Sequence, residues 1–180
     1  MSHNFACVAS GLDVMPLLKA LKKRPHRFKY EQGIALIHLR KYVADGSAVD
    51  CDELADLPEA RKLIGHIVAA VQGIRVGRAY LSFLGANSQN DIDKDPIEYV
   101  DNFQRFHLVI QSLDGNMTLI DSEKQRRGEY NWLKSGELWW VNNARHESHM
   151  NLSKDLCIHL VADIASPLYR PFKRERDLDA

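Results

Sequence analysis

Two stretches of chain, 104–112 and 156–164, constrain this sequence more than any other feature, because both alternate. In QRFHLVIQS, Phe106, Leu108 and Ile110 fall on one face of an extended strand. Arg105, His107, Val109 and Gln111 fall on the other, since successive strand side chains point to opposite faces. In 156–164, Ile158, Leu160, Ala162 and Ile164 oppose Cys157, His159, Val161 and Asp163. Each apolar face must be buried against other elements. Each polar face must meet water or, in a small barrel, line a ligand cavity.

Elsewhere the pattern is mixed. Val14, Leu17, Leu18 and Leu21 make a helical stripe over 13–24, with Lys22, Lys23 and Arg24 at its end and Pro25 to stop it. A second helix carries Leu57, Ala60, Leu63, Ile64, Ile67, Val68 and Val71. Asp56 and Glu59 are spaced as a capping box, Pro58 suits the first turn, and Gly73 is expected to close the helix. Further strands are expected at 35–39, 74–84, 117–121 and 137–142, with Asp114-Gly115-Asn116 as a turn. Residues 85–103 read as a long loop, an exposed acidic segment in the first place and a lid over the barrel mouth as the alternative. Its Asp91, Asp93 and Asp95 do not make a calcium loop, because Pro96 stands where glycine is required and Asn102 where glutamate is. Helices followed by a run of short strands give an α+β protein. The division expected is one domain over 1–180: a helical brace over 1–73, a barrel over 74–166 and a peripheral tail over 167–180. The basic tail residues Arg170, Lys173, Arg174 and Arg176 read as a solvated end.

Composition removes several classes of function. The 180 residues hold 24 Lys+Arg against 24 Asp+Glu and are 45% hydrophobic, as expected of one ordinary domain with a real core. Zero net charge gives no electrostatic case for a nucleic acid or an anionic membrane as partner. No run approaches the roughly 18–20 apolar residues of a membrane span, and the start of the chain lacks the pattern of a signal peptide. Cys7, Cys51 and Cys157 cannot all pair and form no C-x-x-C motif, which suits a reducing cytoplasm.

Imidazoles gather in the C-terminal part. His107 and His159 sit on the polar faces of their strands, and Asn142 to Asn151 carries His146 and His149 three residues apart with Glu147 between. Histidine is a common ligand of transition metals, and two histidines with open positions suit non-haem Fe(II). Hydrogen-bonded core histidines are the competing explanation. Trp139 and Trp140 fall on opposite strand faces, so at most one lines a cavity.

Three segments resemble a known family when taken in order. They are Arg105-Phe106-His107-Leu108-Val109-Ile110, then Trp132…Gly136-Glu137-Leu138-Trp139-Trp140-Val141-Asn142-Asn143, and finally His146…Asn151-Leu152-Ser153…Ile158-His159-Leu160-Val161-Ala162-Asp163. They resemble the R-x-H strand, the W…G-E-L-W-x-x-N-N approach and the H…N…R-I-H-L-x-x-D ending of the aspartyl/asparaginyl β-hydroxylase-like Fe(II)/2-oxoglutarate dioxygenases. The resemblance covers residues 105–164. It implies a double-stranded β-helix, a jelly-roll or cupin-like core, behind N-terminal helices. It further implies Fe(II) as cofactor and 2-oxoglutarate as co-substrate. The reaction would hydroxylate an amino acid, a peptidyl side chain or a related small metabolite.

By the same resemblance, His107 is the first metal ligand and a histidine after the Asn-Asn turn is the second. His146 is preferred because it opens its segment, and His149 stands close behind. An alignment without gaps puts Glu147 at that position instead. Cys157 occupies the place of the arginine that pairs with the outer carboxylate of 2-oxoglutarate, and a thiol cannot make that bidentate pair. Arg105, Arg145 or His159 would have to substitute. Two alternatives follow from that departure: a degenerate barrel that binds or scaffolds without turnover, and a cupin-type metal enzyme that uses no 2-oxoglutarate.

Overall fold

The two alternating stretches become adjacent antiparallel strands, β6 (Gln104–Gln111) and β11 (Cys157–Ala165), at the centre of a seven-stranded sheet. The computed structural model describes residues 4–24, 34–43, 47–92, 94–121 and 128–169. Around the central pair lie β1 (Phe5–Ala9), β9 (Leu138–Val141), β4 (Arg75–Leu84), β2 (Ile34–Tyr42) and β3 (Ala48–Asp50), in the order β1-β9-β6-β11-β4-β2-β3. A second sheet faces it, formed by β5 (Ser88–Ile92), β10 (His146–Asn151), β7 (Asn116–Asp121) and β8 (Glu129–Asn131) in the order β5-β10-β7-β8. Every described strand pair is antiparallel. This is the jelly-roll, α+β arrangement that the sequence implied. The larger sheet recruits β1, β2 and β3 from the first 73 residues, so that region supplies strands as well as helices.

The apolar faces of β6 and β11 meet the helices. Phe106, Leu108, Ile110, Ile158 and Leu160 share one core with Leu17, Leu18 and Leu21 of α1 (Met15–Lys22) and Leu63, Ile64 and Ile67 of α3 (Pro58–Ala70). At roughly 25 cal/mol per Å² of apolar surface buried, this face is the main source of stability and fixes which way Arg105, His107 and His159 point. Trp140 joins this helix-side core, while Trp139 packs with Ile120 of the facing sheet, as their alternation requires.

The Asp56–Glu59 capping box does not form. Leu57 is the N-cap of α3 at φ −126° and ψ 70°, without a side-chain cap, and Asp56 ends a separate helix, α2 (Asp52–Asp56). Pro58 explains the break, because the residue before a proline is driven out of the helical region. The turn after α3 also differs. Gln72 takes the left-handed conformation at φ 51°, while Gly73 is needed for space, since a Cβ there would meet Ile164 Cγ2 at 2.5 Å.

Residues 85–103 are not a loop. They contain β5 and the short helix α4 (Ile97–Val100), and Asp95 is buried. Asp91 is exposed, and Asp93 lies outside the described residues. β10 was not expected either. The basic residues Arg170, Lys173, Arg174 and Arg176 lie outside the described residues, whereas Tyr169 packs against Phe106 and Trp140. Among the described residues, no helix is long and apolar enough to cross a membrane.

Candidate metal centre

Between the sheets, β6 and β11 present Arg105, His107, Cys157, His159 and Asp163 toward β10. Strand alternation in β10 sends Glu147, His149 and Asn151 inward as buried residues and leaves His146, Ser148 and Met150 half-buried on the other face. The result is a triangle of imidazoles. Ring centroids are 5.4 Å apart for His107 and His149, 5.5 Å for His107 and His159, and 5.4 Å for His149 and His159.

His107 and His149 are each held through Nδ1 and offer Nε2, whereas both nitrogens of His159 have neighbours. His107 Nδ1 lies 3.2 Å from His159 Nδ1, so one of the two donates to the other. His149 Nδ1 lies 2.9 Å from Thr118 Oγ1. The free nitrogens converge on one carboxylate oxygen: Glu147 Oε1 is 3.2 Å from His107 Nε2 and 2.6 Å from His149 Nε2. Yet His107 Nε2 and Glu147 Oε1 are buried atoms with no hydrogen bond of acceptable geometry. Burying polar atoms without partners costs about 1–3 kcal/mol each, so a protein keeps such atoms for a reason. Ligand atoms of His107, Glu147 and His149 all lie within 4.8 Å of one another. Two histidines and a carboxylate, each fixed from behind, are a donor set that fits one divalent transition metal.

The electrostatics agree with that fit. Burial pushes His107 down to about 4, outweighing the attraction of Glu147, so its imidazole is neutral near pH 7. Burial, then His149 and His107, push His159 well below its ordinary value. Burial alone would raise the Glu147 carboxyl, but His107, His149 and Arg105 hold it well below the usual carboxylate range. Glu147 is therefore held as a carboxylate beside a neutral His107, the deprotonated states that metal ligation requires of these two groups.

Beside it lies a different kind of cluster. Arg105 donates through Nε to Asp163 at 3.0 Å and through Nη2 to Asp95 at 2.7 Å, with a long 3.5 Å contact to Glu147 Oε2. Arg78 donates to both oxygens of Asp95, at 2.7 and 2.8 Å, and to Asp163 at 2.9 Å. Tyr99 donates its hydroxyl to Asp163 at 3.0 Å, and Asn143 donates to Asp95 at 3.0 Å. Burial would raise Asp163, but Arg105 and Arg78 bring it below its ordinary value.

Of the residues expected from sequence, Arg105, His107, His149, Cys157 and His159 are brought together. His146 and Arg145 are not part of that group. His146 points to the opposite face of β10 from His149, so the two cannot serve one ion with His107. Arg145 is half-buried in the turn before β10. Arg105 is spent on Asp95 and Asp163. Cys157 is a buried thiol 3.5 Å from His159 Nε2, pushed up to about 12 by burial, and is therefore neutral. Two small cavities adjoin it, of about 10 Å³ each, and among the described residues lining them there is no lysine or arginine. Sequence reasoning placed Glu147 at the second ligand's position only in an alignment without gaps, and it missed Thr118, Asp95 and Arg78. Glu147 had a signal: reading 146–151 as a strand puts it on the same face as His149.

No protein-family model and no curated protein sequence matches the chain. Solved structures do match it in fold. An oxidoreductase of the 2OG-Fe(II) oxygenase family from Burkholderia pseudomallei aligns at a TM-score of 0.63 and 10% identity, over 93% of this chain and 88% of that one. SnoN, a non-haem α-ketoglutarate-dependent epimerase from nogalamycin biosynthesis, aligns at 0.62 and 10% identity, over 93% and 81%. HygX from Streptomyces hygroscopicus, solved with nickel, 2-oxoglutarate and hygromycin B, aligns at 0.57 and 9% identity, over 94% and 86%. The fold of this chain is thus the double-stranded β-helix of the 2-oxoglutarate/Fe(II) oxygenases.

Proposed function

We propose that the chain is a mononuclear non-haem Fe(II) oxygenase of the 2-oxoglutarate-dependent class, hydroxylating a small or peptidyl substrate. The observation that carries this reading is the pair of buried, unpartnered atoms, His107 Nε2 and Glu147 Oε1, facing His149 Nε2 inside a jelly roll. His107, Glu147 and His149 would hold the iron. Bound Fe(II) supplies dioxygen activation: one oxygen atom enters the substrate C–H bond and the other enters succinate, with release of carbon dioxide. The chain's own residues ligate, orient and exclude water. Thr118 and His159 aim the two imidazoles, Arg105 steadies Glu147 from its other oxygen, and the apolar cores on either side keep the centre dry. The sequence motifs of 105–164 favour a relative of the aspartyl/asparaginyl β-hydroxylases. The free cysteines Cys7, Cys51 and Cys157 suit a reducing cytoplasm.

In this reading the outer carboxylate of 2-oxoglutarate would have to be met by Arg145, the candidate cation left over once Arg105 is engaged by Asp95 and Asp163, although it lies outside the histidine group. The cleft at Cys157 does not fit a dicarboxylate, because the thiol and His159 are neutral there. That observation favours a second reading, a metal enzyme of the same fold that uses no 2-oxoglutarate. Calorimetry on anaerobically prepared protein separates the two. The first reading expects one Mn(II) per chain, lost in His107→Ala, and 2-oxoglutarate binding to the Mn(II) form that weakens in Arg145→Ala and tightens in Cys157→Arg. It also expects succinate release with Fe(II) under air. Metal binding without 2-oxoglutarate binding or succinate would leave the second reading. Equal metal binding by wild type and His107→Ala would end both.

A further inference from the structure

Three buried side chains behind the metal centre form a string. Cys157 Sγ lies 3.5 Å from His159 Nε2, and His159 Nδ1 lies 3.2 Å from His107 Nδ1. The string ends at His107 Nε2, the buried nitrogen without an acceptable hydrogen bond, 3.2 Å from Glu147 Oε1. Burial keeps the thiol and both imidazoles neutral near pH 7.

Neutrality fixes the logic of the string. A neutral imidazole has one N–H and one lone pair, so a hydrogen placed at one end decides every later position. In metal-free protein the Glu147 carboxylate attracts a hydrogen to His107 Nε2, although the two make no good hydrogen bond. His107 Nδ1 then accepts from His159 Nδ1, and His159 Nε2 accepts from the Cys157 thiol. His107 binds a metal through Nε2 only with its lone pair there. Its hydrogen then sits on Nδ1 and is donated to His159 Nδ1. His159 carries its own hydrogen on Nε2, and Cys157 Sγ is left to accept it. Each of the three groups keeps one hydrogen in both states, so the string reverses without a change of charge.

We propose that Cys157 is a positioning residue of the metal centre: it terminates this string and turns from donor to acceptor when His107 takes up a metal. A thiol does both, weakly, with one rotatable hydrogen. The residue standing where the resemblance expects an arginine thus serves the metal and not the co-substrate. The proposal rests on the metal-centre reading above. The competing explanation is that Cys157 only fills space, and two substitutions tell them apart. Cys157→Val fills the space but neither donates nor accepts. With cavities of only about 10 Å³ beside it, little room is left for a water to replace the thiol. Cys157→Ser keeps a group that does both.

The test compares these two full-length variants with the wild type. Nitrogen-15 NMR of the histidine rings reads the tautomers, metal-free and with Zn(II). Infrared spectra read the Cys157 S–H stretch, isolated from Cys7 and Cys51 by subtracting the Cys157→Ser spectrum. Calorimetry reads Mn(II) affinity. In metal-free wild type, His159 should carry its hydrogen on Nδ1, with an S–H band lowered by donation. Zn(II) should move that hydrogen to Nε2 and return the band to that of a thiol that does not donate. Mn(II) affinity should fall about tenfold in Cys157→Val, the low end for an outer partner of a metal ligand, and largely recover in Cys157→Ser. If valine does not fold, the tautomer and S–H shifts in the wild type still decide. Equal Mn(II) affinity in wild type and Cys157→Val would make the thiol mere packing and end the proposal. Metal uptake with a His159 tautomer that does not change would sink this proposal alone. The expected metal-free tautomers in a wild type that takes up neither Zn(II) nor Mn(II) would sink the metal-centre reading, and this proposal with it.

Discussion

Two charged clusters lie side by side in the interior and meet where Arg105 approaches Glu147, yet they are built on opposite principles. In the Arg78–Asp95–Arg105–Asp163 cluster every carboxylate meets two guanidinium groups, and Tyr99 and Asn143 fill remaining positions. In the His107–Glu147–His149 cluster, two imidazole nitrogens and a carboxylate oxygen converge on one point, and His107 Nε2 and Glu147 Oε1 make no hydrogen bond of acceptable geometry. Burial is therefore not what marks a site. A buried network that closes on itself holds strands together, while one left open at a defined point is arranged to receive something.

The first way to break this comparison is to open the closed cluster. Asp163→Ala leaves Arg105 and Arg78 facing each other with one carboxylate between them. Removing one partner of a buried ion pair typically costs about 3–5 kcal/mol. Urea unfolding of the metal-free protein should show that loss. A change below about 1 kcal/mol would mean that the cluster, like many ion pairs, contributes little.

Acid should dissect the open cluster next. The folded state holds His107 at about 4 against an ordinary value of 6.5, so between these pH values the unfolded chain binds the extra proton. Stability from this residue is therefore fully present above about pH 6.5 and is lost as pH falls toward 4, by about 3 kcal/mol. Glu147, also depressed, acts in the same direction: its contribution is present above the usual carboxylate range and is lost as pH falls further. Urea unfolding of metal-free protein between pH 7 and 4 should show the loss, and His107→Asn should flatten it. An unchanged slope in that variant would place the acid sensitivity elsewhere.

The same contrast explains what could be read from sequence. β6 and β11 were legible because each has an apolar face that alternation exposes, and the resemblance over 105–164 then implied the jelly roll. β5 and β10 were not legible. Their inward residues, such as Glu147, His149 and Asn151, are as polar as their outward ones, so period-two alternation carries no hydrophobic signal. A strand that lines a polar site hides from the pattern that finds strands. That is why sequence order puts His146 ahead of His149: the face of β10 decides between them, and no alternation marks that strand. Asp95 failed for another reason. Three aspartates in a row of alternate positions read as solvated, and burial of the third depends on Arg78 and Arg105, which reach it from β4 and β6, an arrangement that only the folded sheet brings about.

Replacing the shared residue sharpens the comparison. Glu147→Gln keeps the shape but removes the charge on which the imidazoles converge. Mn(II) affinity should fall more than about a hundredfold, since even outer partners of metal ligands are worth 10–100-fold. The Arg78–Asp95–Arg105–Asp163 ion pairs need not change, so unfolding in metal-free urea should shift far less than in Asp163→Ala. Metal affinity unchanged in Glu147→Gln would leave the three imidazoles, and not the carboxylate, as the ligand set.

The smallest effect tests how the open cluster is held open. Thr118 Oγ1 lies 2.9 Å from His149 Nδ1, and Thr118 is only 2% exposed. If the ring nitrogen donates to this hydroxyl, His149 Nε2 is left as the lone-pair nitrogen that a metal needs. Thr118→Val preserves the shape of the side chain and removes the acceptor. The imidazole can then rotate or exchange tautomers, and part of the metal's binding energy goes into restoring the productive one. Mn(II) affinity should fall about tenfold, at the low end for an outer-shell partner, with one ion still bound per chain. Thr118→Ser, which keeps the hydroxyl, should recover most of it. If valine and serine behave alike, the contact is packing, and the orientation of His149 comes from its place on β10 and not from Thr118.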